Sequence, residues 1–306
     1  MSAGTTAVRM LTLGSRGSAL ALWQARHISA LLKEIAVDTR IEIIKTTGDH
    51  LQTASLTQAG GKGLFTKEIE QALLERSIDV AVHSLKDLPT QTTPGLAIAA
   101  VPEREDPRDA LVGSTLASLK RGARVGTSSG RRAAQLRHLR PDLQIEPIRG
   151  NVDTRLRKLK EGQFDAIVLA AAGLKRLGFE SEIAEILSPD QICPAPGQGA
   201  LGIQTRAEDA AQEICGALND EVSRLAVEAE RAVLAGLGGG CQLPVGVFAE
   251  QRRSEWLLTA VVISPDGSRM LSEQASSRGN PVLLAGTLVE RLLGRGAAGI
   301  LAATAP

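Results

Sequence analysis

Short apolar runs that end in small polar residues set the rhythm of this chain. Ile78-Asp79-Val80-Ala81-Val82 is rich in closely spaced β-branched residues, as a strand requires. It stops at Ser84-Leu85-Lys86-Asp87-Leu88-Pro89, where the proline cannot donate to a ladder. The same pattern predicts strands over residues 9–13, 41–45, 96–101, 124–126, 143–148, 164–172 and 200–204. Apolar residues at helical spacing fall between them. Leu20, Trp23, Ile28, Leu31 and Ile35 form one stripe over 19–35, with Ser18 placed to cap it. Further helices are predicted over 65–74, from Arg131 to Leu139, and from about Arg155 onward. This alternation predicts an α/β fold with mixed, mostly parallel sheets, whose ligands gather at the carboxyl ends of the strands.

The rhythm changes after Asp220. A helix over 221–235 ends at Gly236, strands follow at 245–249, 256–263 and 270–274, and a last helix covers 281–293. This predicts a small α+β unit with a three-stranded antiparallel sheet. Two breaks divide the remainder: the charged, proline-bearing stretch 103–109 and the Pro/Gly stretch 194–199. The expected domains are 1–101 with 198–220, then 102–197, then 221–306.

The polar ends of the runs carry the chemistry. Arg16 sits in a strand-to-helix loop, near the positive end of a helix, where anions are attracted. Arg131, Arg132, Arg149, Arg155 and Arg176 all fall at or just after predicted strand ends. Arginine suits a two-pronged grip of carboxylate or phosphate. Taken alone, Lys86 and Asp87 read as a solvated turn. Beside arginines in matching positions, they become one wall of a cationic cleft between two lobes, shaped for a polyanion. Residues 51–63 end in Gly60-Gly61-Lys62-Gly63, which resembles half a phosphate loop; Gly63 follows the lysine and Leu56 stands where a glycine is needed, so a nucleotide loop is excluded. A mobile, glycine-hinged cover over the site is expected there.

Composition narrows the partners. With 35 Lys+Arg against 34 Asp+Glu, 2% aromatics and no Tyr, the chain is not built to bind nucleic acid. No window has transmembrane length and Met1–Val8 lacks a long apolar run, so a cytoplasmic protein with no membrane association is expected. Cys193, Cys215 and Cys241 fit neither a disulfide framework nor a zinc site, and the four histidines show no paired-ligand spacing. A lone cysteine is usually a small buried hydrophobe. Cys241, however, follows three glycines in a loop, where a reactive or modified thiol is the competing reading.

The ordered set Arg16-Gly17-Ser18-Ala19-Leu20-Ala21-Leu22-Trp23-Gln24, Gly60-Gly61-Lys62-Gly63-Leu64-Phe65, Ala81-Val82-His83-Ser84-Leu85-Lys86-Asp87, Glu105-Asp106-Pro107-Arg108-Asp109, Gly126-Thr127-Ser128-Ser129 with Arg131-Arg132, Arg149-Gly150-Asn151 and Gly240-Cys241-Gln242-Leu243-Pro244 resembles the porphobilinogen deaminase (hydroxymethylbilane synthase) family over nearly the whole chain. The resemblance implies two lobes like those of periplasmic binding proteins, a third domain, and a dipyrromethane cofactor joined by a thioether to Cys241. It implies a transferase that adds porphobilinogen units with loss of ammonia and releases a linear tetrapyrrole by hydrolysis. Asp87 would be catalytic, stabilising the cationic methylene-pyrrolenine left by ammonia. Lys86, Ser84, Asp87, Thr127, Ser128, Ser129, Arg131, Arg132 and Gly150 would hold the cofactor. Arg16, Ser18, Arg149, Arg155, Arg176 and Lys62 would bind substrate. A monomer is expected, since no extra apolar interface element stands out. Ala19 stands where many relatives have Pro, Gly130 where a larger apolar residue is common, and Cys193 has no expected role.

Two other readings fit a two-lobed architecture. A solute-binding protein for a di- or tricarboxylate would carry a signal peptide and gives Cys241 no purpose. A regulatory pair sensing an anionic metabolite would need a DNA-reading element, and the sequence offers none.

Overall fold

The computed structural model describes residues 10–46, 66–239 and 243–303. The first lobe opens with β1 (Leu11–Ser15), α1 (Ala19–Glu34), β2 (Thr39–Ile43), α2 (Lys67–Leu74), β3 (Val80–Ser84) and β4 (Leu96–Ala100). The chain then crosses to a second lobe: β5 (Asp109–Val112), β6 (Arg124–Gly126), α3 (Gly130–Leu139), β7 (Gln144–Glu146), α4 (Val152–Lys160), β8 (Ala166–Ala170), α5 (Ala171–Arg176) and β9 (Ile183–Leu187). It returns for β10 (Leu201–Arg206) and α6 (Ala210–Gly216). The C-terminal unit holds α7 (Glu221–Gly236), β11 (Val245–Arg252), β12 (Glu255–Ile263), β13 (Met270–Ser277), α8 (Leu284–Gly294) and α9 (Ala297–Ala302).

The two lobes share one plan. Their strand orders are β2-β1-β3-β10-β4 and β7-β6-β8-β5-β9. β1 runs parallel to β2 and β3, while β10 runs antiparallel to β3 and β4. Likewise β6 runs parallel to β7 and β8, while β5 runs antiparallel to β8 and β9. In each lobe the reversed strand is the one the chain lays down first after a crossing. The return of β10 to the first lobe is the one expected from the two breaks in the sequence.

The central strands are almost wholly buried because both faces are covered. Leu11, Leu13, Val80, Val82, Leu201 and Ile203 pack against Ile28 and Leu32 of α1. In the second lobe Leu111, Val125 and Val168 meet Leu136 of α3. In the third unit the helices cover one face, so β12 alternates at its start; at its end Val261 and Ile263 also bury, against Ala134 and Cys193 of the second lobe. Trp256, Leu258, Ala260 and Val262 bury against Ala229 and Val233 of α7 and Leu288 and Leu292 of α8. Each fully buried side chain of this kind contributes about 1.5–3 kcal/mol.

Several boundaries move. The stretch 103–109 is not all crossing, because Asp109 opens a fully buried strand. The strand expected over 164–172 ends at Ala170, and Ala-Ala-Gly-Leu-Lys-Arg turns directly into α5. That hexad has no β-branched residue to hold it extended. The strand expected over 143–148 shrinks to β7, stopped by Pro147. β9 and α6 were not legible; α6 is announced only by Asp209, whose carboxylate accepts from the Ala211 N–H. The expected cover over 51–63, with Lys62, and the cysteine at 241 lie outside the described residues.

No helix among the described residues is long and apolar enough to cross a membrane. Among those residues no group of three or more His, Cys, Asp or Glu could hold a metal ion.

Candidate active site

A cleft of about 310 Å³ opens between the two lobes. Its floor is the end of β3, which gives way to a single 3-10 turn over Leu85–Asp87. Ser84, Lys86 and Asp87 face the cleft from that turn. Arg16 and Ser18 reach it from the loop between β1 and α1, where Ser18 Oγ caps the helix by accepting from the Ala21 N–H. The second lobe supplies Arg132 from α3, Gly150 and Arg155 around the start of α4, and Arg176 from the end of α5. Nine sequence-selected residues thus share one cavity: Arg16, Ser18, Ser84, Lys86, Asp87, Arg132, Gly150, Arg155 and Arg176.

The lining is unbalanced in charge. Arg16, Lys86, Arg132, Arg155 and Arg176 face it, against the carboxylates of Asp87 and Asp153. Asp153 lies in the first turn of α4, where the helix dipole partly compensates it. Burial pushes the Lys86 ammonium down to about 8, only partly opposed by the neighbouring Asp87 carboxylate. Burial likewise lowers Arg155 to about 10, helped by the nearby Arg132 charge, and Arg176 to about 10. Such cations are short of counter-charge, and a ligand with several carboxylates would supply it.

Uncharged groups tie the cations together. Lys86 Nζ donates to Gln198 Oε1 at 3.4 Å, and Arg132 Nη2 donates to the same oxygen at 3.3 Å. Gln198 Nε2 in turn donates to Pro107 O at 2.7 Å and to Asp109 Oδ1 at 2.8 Å. Arg155 Nε donates to Gly150 O at 2.8 Å. Arg176 Nη2 donates to Gly199 O at 2.6 Å, and its guanidinium carbon lies 5.7 Å from the Trp23 ring centre across the lobes. At Gly199 the two crossings touch: φ is +87°, and a Cβ there would meet Glu105 O at 2.2 Å. Only glycine fits that position.

The remaining selected residues lie differently. Arg131 does not line the cleft: its guanidinium is buried, donating to Asp109 Oδ2 at 2.7 Å and to the Cys193 carbonyl. Arg132 shares that carboxylate, with Nε and Nη2 at 2.9 and 2.7 Å from Asp109 Oδ1. Burial alone would raise the Asp109 carboxyl, but the two guanidinium groups override it and hold it well below the usual range. Thr127, Ser128 and Ser129 also lie off the cavity lining and build the turn before α3. Thr127 Oγ1 accepts from the Ser129 N–H at 3.2 Å, Ser128 Oγ donates to Ile148 O at 2.6 Å, and Ser129 Oγ caps α3. Arg149 is exposed beside Gly150, outside the lining. Cys193 is buried, and burial pushes its thiol pKa up, which makes it an inert packing residue.

Three participants escaped the sequence reading. Asp109 was assigned to a charged crossing, although the apolar run Ala110-Leu111-Val112 after it marks a strand start. Gln198 and Gln24 carry no charge to draw notice; Gln24 lines the cleft and its Nε2 donates to Ser84 Oγ at 2.8 Å.

A family model described as "Porphobilinogen deaminase, dipyromethane cofactor binding domain" matches residues 11–213, and one described as "Porphobilinogen deaminase, C-terminal domain" matches 224–294. A porphobilinogen deaminase of Sorangium cellulosum is 53% identical over 266 residues, covering 85% of this chain and 89% of the relative. Another, of a Roseiflexus species, is 49% identical over 298 residues, covering 95% and 98%. Among solved structures, the methionine-binding protein MetQ matches at 13% identity with a TM-score of 0.41, covering 68% of this chain and 89% of that one.

Proposed function

The chain belongs to the porphobilinogen deaminase family, and on that premise we propose how its cleft residues divide the reaction. The activity is that of a transferase in tetrapyrrole biosynthesis. It condenses four porphobilinogen units, with loss of ammonia, on a covalently bound dipyrromethane primer and releases linear hydroxymethylbilane by hydrolysis. When bound, the primer supplies the pyrrole carbon on which the chain grows.

The donor set fits that group. Each pyrrole carries an acetate and a propionate, so a primer brings four carboxylates to a cleft lined by five cations and two carboxylates. In our reading Lys86, Arg132, Ser84 and Gly150 hold the primer, while Arg16, Ser18, Arg155 and Arg176 bind incoming substrate. Lys62 and Arg149 are assigned to substrate as well. For Arg131, Thr127, Ser128 and Ser129, the hydrogen bonds support a part in shaping the turn that presents Arg132. Cys241 carries the thioether, which keeps the primer at high effective concentration.

Asp87 is the catalytic carboxylate. One observation carries this role: Asp87 is exposed to the cleft beside Lys86 at the carboxyl end of β3, among cations that cannot themselves stabilise positive charge. As ammonia leaves porphobilinogen, Asp87 stabilises the charge developing on the substrate, and it accepts a proton as the new bond matures. The three sheets support domains at 1–101 with 198–220, 102–197 and 221–306. A cytoplasmic monomer without a nucleic-acid partner completes the proposal. Its net charge of +1, its 2% aromatics and the free, buried Cys193 and Cys215 support the location and the absence of nucleic acid.

Intact mass tests the proposal. The purified active protein should exceed its sequence mass by two linked pyrrole units, and Cys241→Ser should remove the excess. Active protein of bare sequence mass would overturn it.

A further inference from the structure

The turn that bears Lys86 and Asp87 is weakly held by its own backbone. It spans three residues, with one internal bond from the Leu88 N–H to Leu85 O at 3.2 Å. The C-terminal unit supplies what it lacks. Arg231, half-buried on α7, donates from Nη1 to Leu85 O at 3.3 Å and to Leu88 O at 2.9 Å, and from Nη2 to Pro89 O at 2.6 Å. One rigid guanidinium therefore spans both sides of Asp87. The same helix runs on to Gly236, and the loop beyond returns to the same place. Gly239 has φ +59°, and a Cβ on it would lie 3.0 Å from Thr90 Oγ1, three residues past Asp87. In sequence, Cys241 is two residues further.

We propose that Arg231 is a positioning residue for the reaction, clamping the Leu85–Pro89 turn so that the Asp87 carboxylate is held in fixed register with the helix that leads to Cys241. The inference rests on the catalytic role proposed for Asp87. Arg231 does not line the cleft; its guanidinium faces main-chain carbonyls. A planar fork can bridge three carbonyls, while an ammonium is a point charge that satisfies fewer of them in fixed geometry. Displacement of a catalytic group by about 1 Å costs on the order of 100-fold in rate.

Arg224 provides the control. It lies two turns earlier on α7 and also binds the first lobe, donating from Nη2 to Ile98 O at 3.0 Å and Ala99 O at 2.9 Å. Those carbonyls belong to β4, which β10 separates from β3, and not to the turn that bears Asp87. Holoenzymes carrying Arg231→Ala, Arg231→Lys and Arg224→Ala should be compared in thermal melting, intact mass and porphobilinogen turnover. Both alanine variants should melt earlier and retain the primer mass. Arg231→Ala should lose at least about tenfold in kcat with KM little changed, Arg231→Lys should fall between it and the wild type, and Arg224→Ala should keep kcat within about twofold. In an Asp87→Asn background, Arg231→Ala should cost little further, because its effect passes through the lost carboxylate. Wild-type kcat in Arg231→Ala, with Asp87→Asn inactive, overturns the clamp alone; so does full additivity in the double variant. Near-normal turnover in Asp87→Asn overturns the role of Asp87, and the clamp with it. Should Arg231→Ala fail to fold, Arg231→Lys with wild-type kcat is the overturning result.

Discussion

Replacing Asp109 by Asn removes one negative charge and strands two guanidinium groups in the interior. The carboxylate is fully buried and accepts from Arg131 Nη2, from Arg132 Nε and Nη2, and from Gln198 Nε2, at 2.7 to 2.9 Å. Arg131 and Arg132 are only 4% and 6% exposed, so water cannot take over the lost role. Breaking a buried pair by removing one partner costs about 3–5 kcal/mol. At about 2–4 °C per kcal/mol, the melting temperature should fall by roughly 6–20 °C. The carboxyl pKa is depressed in the folded state, so its contribution is fully present above its unfolded value of about 4 and is lost progressively as pH falls below that. The gap in melting temperature between wild type and Asp109→Asn should therefore be full at pH 7 and narrow toward pH 3. Calorimetric melts at several pH values measure both effects. A loss below about 1 kcal/mol at pH 7, or a gap that does not narrow in acid, refutes the assignment of Asp109 as an ionised buried anchor.

Other expectations follow from the same geometry. Asp87→Asn should keep the primer mass yet lose most turnover in a single-turnover assay; near-normal rates contradict its role. Burial lowers Lys86 to about 8, so above that pH its charge fades and the grip on carboxylates weakens. A primer carboxylate restores the charge, so loading the apoenzyme with primer at about pH 8.5 should take up more protons in the wild type than in Lys86→Met, visible by calorimetry as a heat that depends on buffer ionisation; equal uptake contradicts the role of Lys86. Glu230 is fully buried and accepts from Arg104 at 2.7 and 3.0 Å, from the Gly197 N–H at 2.7 Å and from the Ala249 N–H at 2.9 Å, joining both crossings to the third unit. Glu230→Ala should cost on the order of 3–5 kcal/mol in denaturant unfolding, and a loss under 1 kcal/mol contradicts this.

Periodicity carried most of the fold because strands covered on both faces must be apolar throughout, as Val80–Val82 and Ile167–Leu169 are. It failed where elements were short or charged at their start. β5 hid behind the Asp109 that the sequence reading gave to a hinge, and β9 alternates too weakly to stand out. For the site, position at a strand end brought Arg132, Arg155 and Arg176 to one cleft but could not tell a side chain aimed outward from one aimed inward. Arg131 and Arg132 are neighbours in sequence, yet only Arg132 faces the cavity. The amides Gln24 and Gln198 stayed invisible because their importance comes from what they bridge, and a single sequence shows no bridges.

The placement of β10 between β3 and β4 fixes the order in which a growing chain can finish its parts. On the ribosome, every strand of the second sheet has been made once residue 187 has been synthesised, while the first sheet still has a gap: β3 and β4 do not pair with each other. β4 has no sheet neighbour, and β3 keeps an unsatisfied edge, until residues 201–206 arrive. The lobe that begins the polypeptide is therefore completed after the one that interrupts it. The strand left open longest is the one that leads into Lys86 and Asp87, so a chain lacking residues 201–206 has an incomplete first sheet and no working cleft.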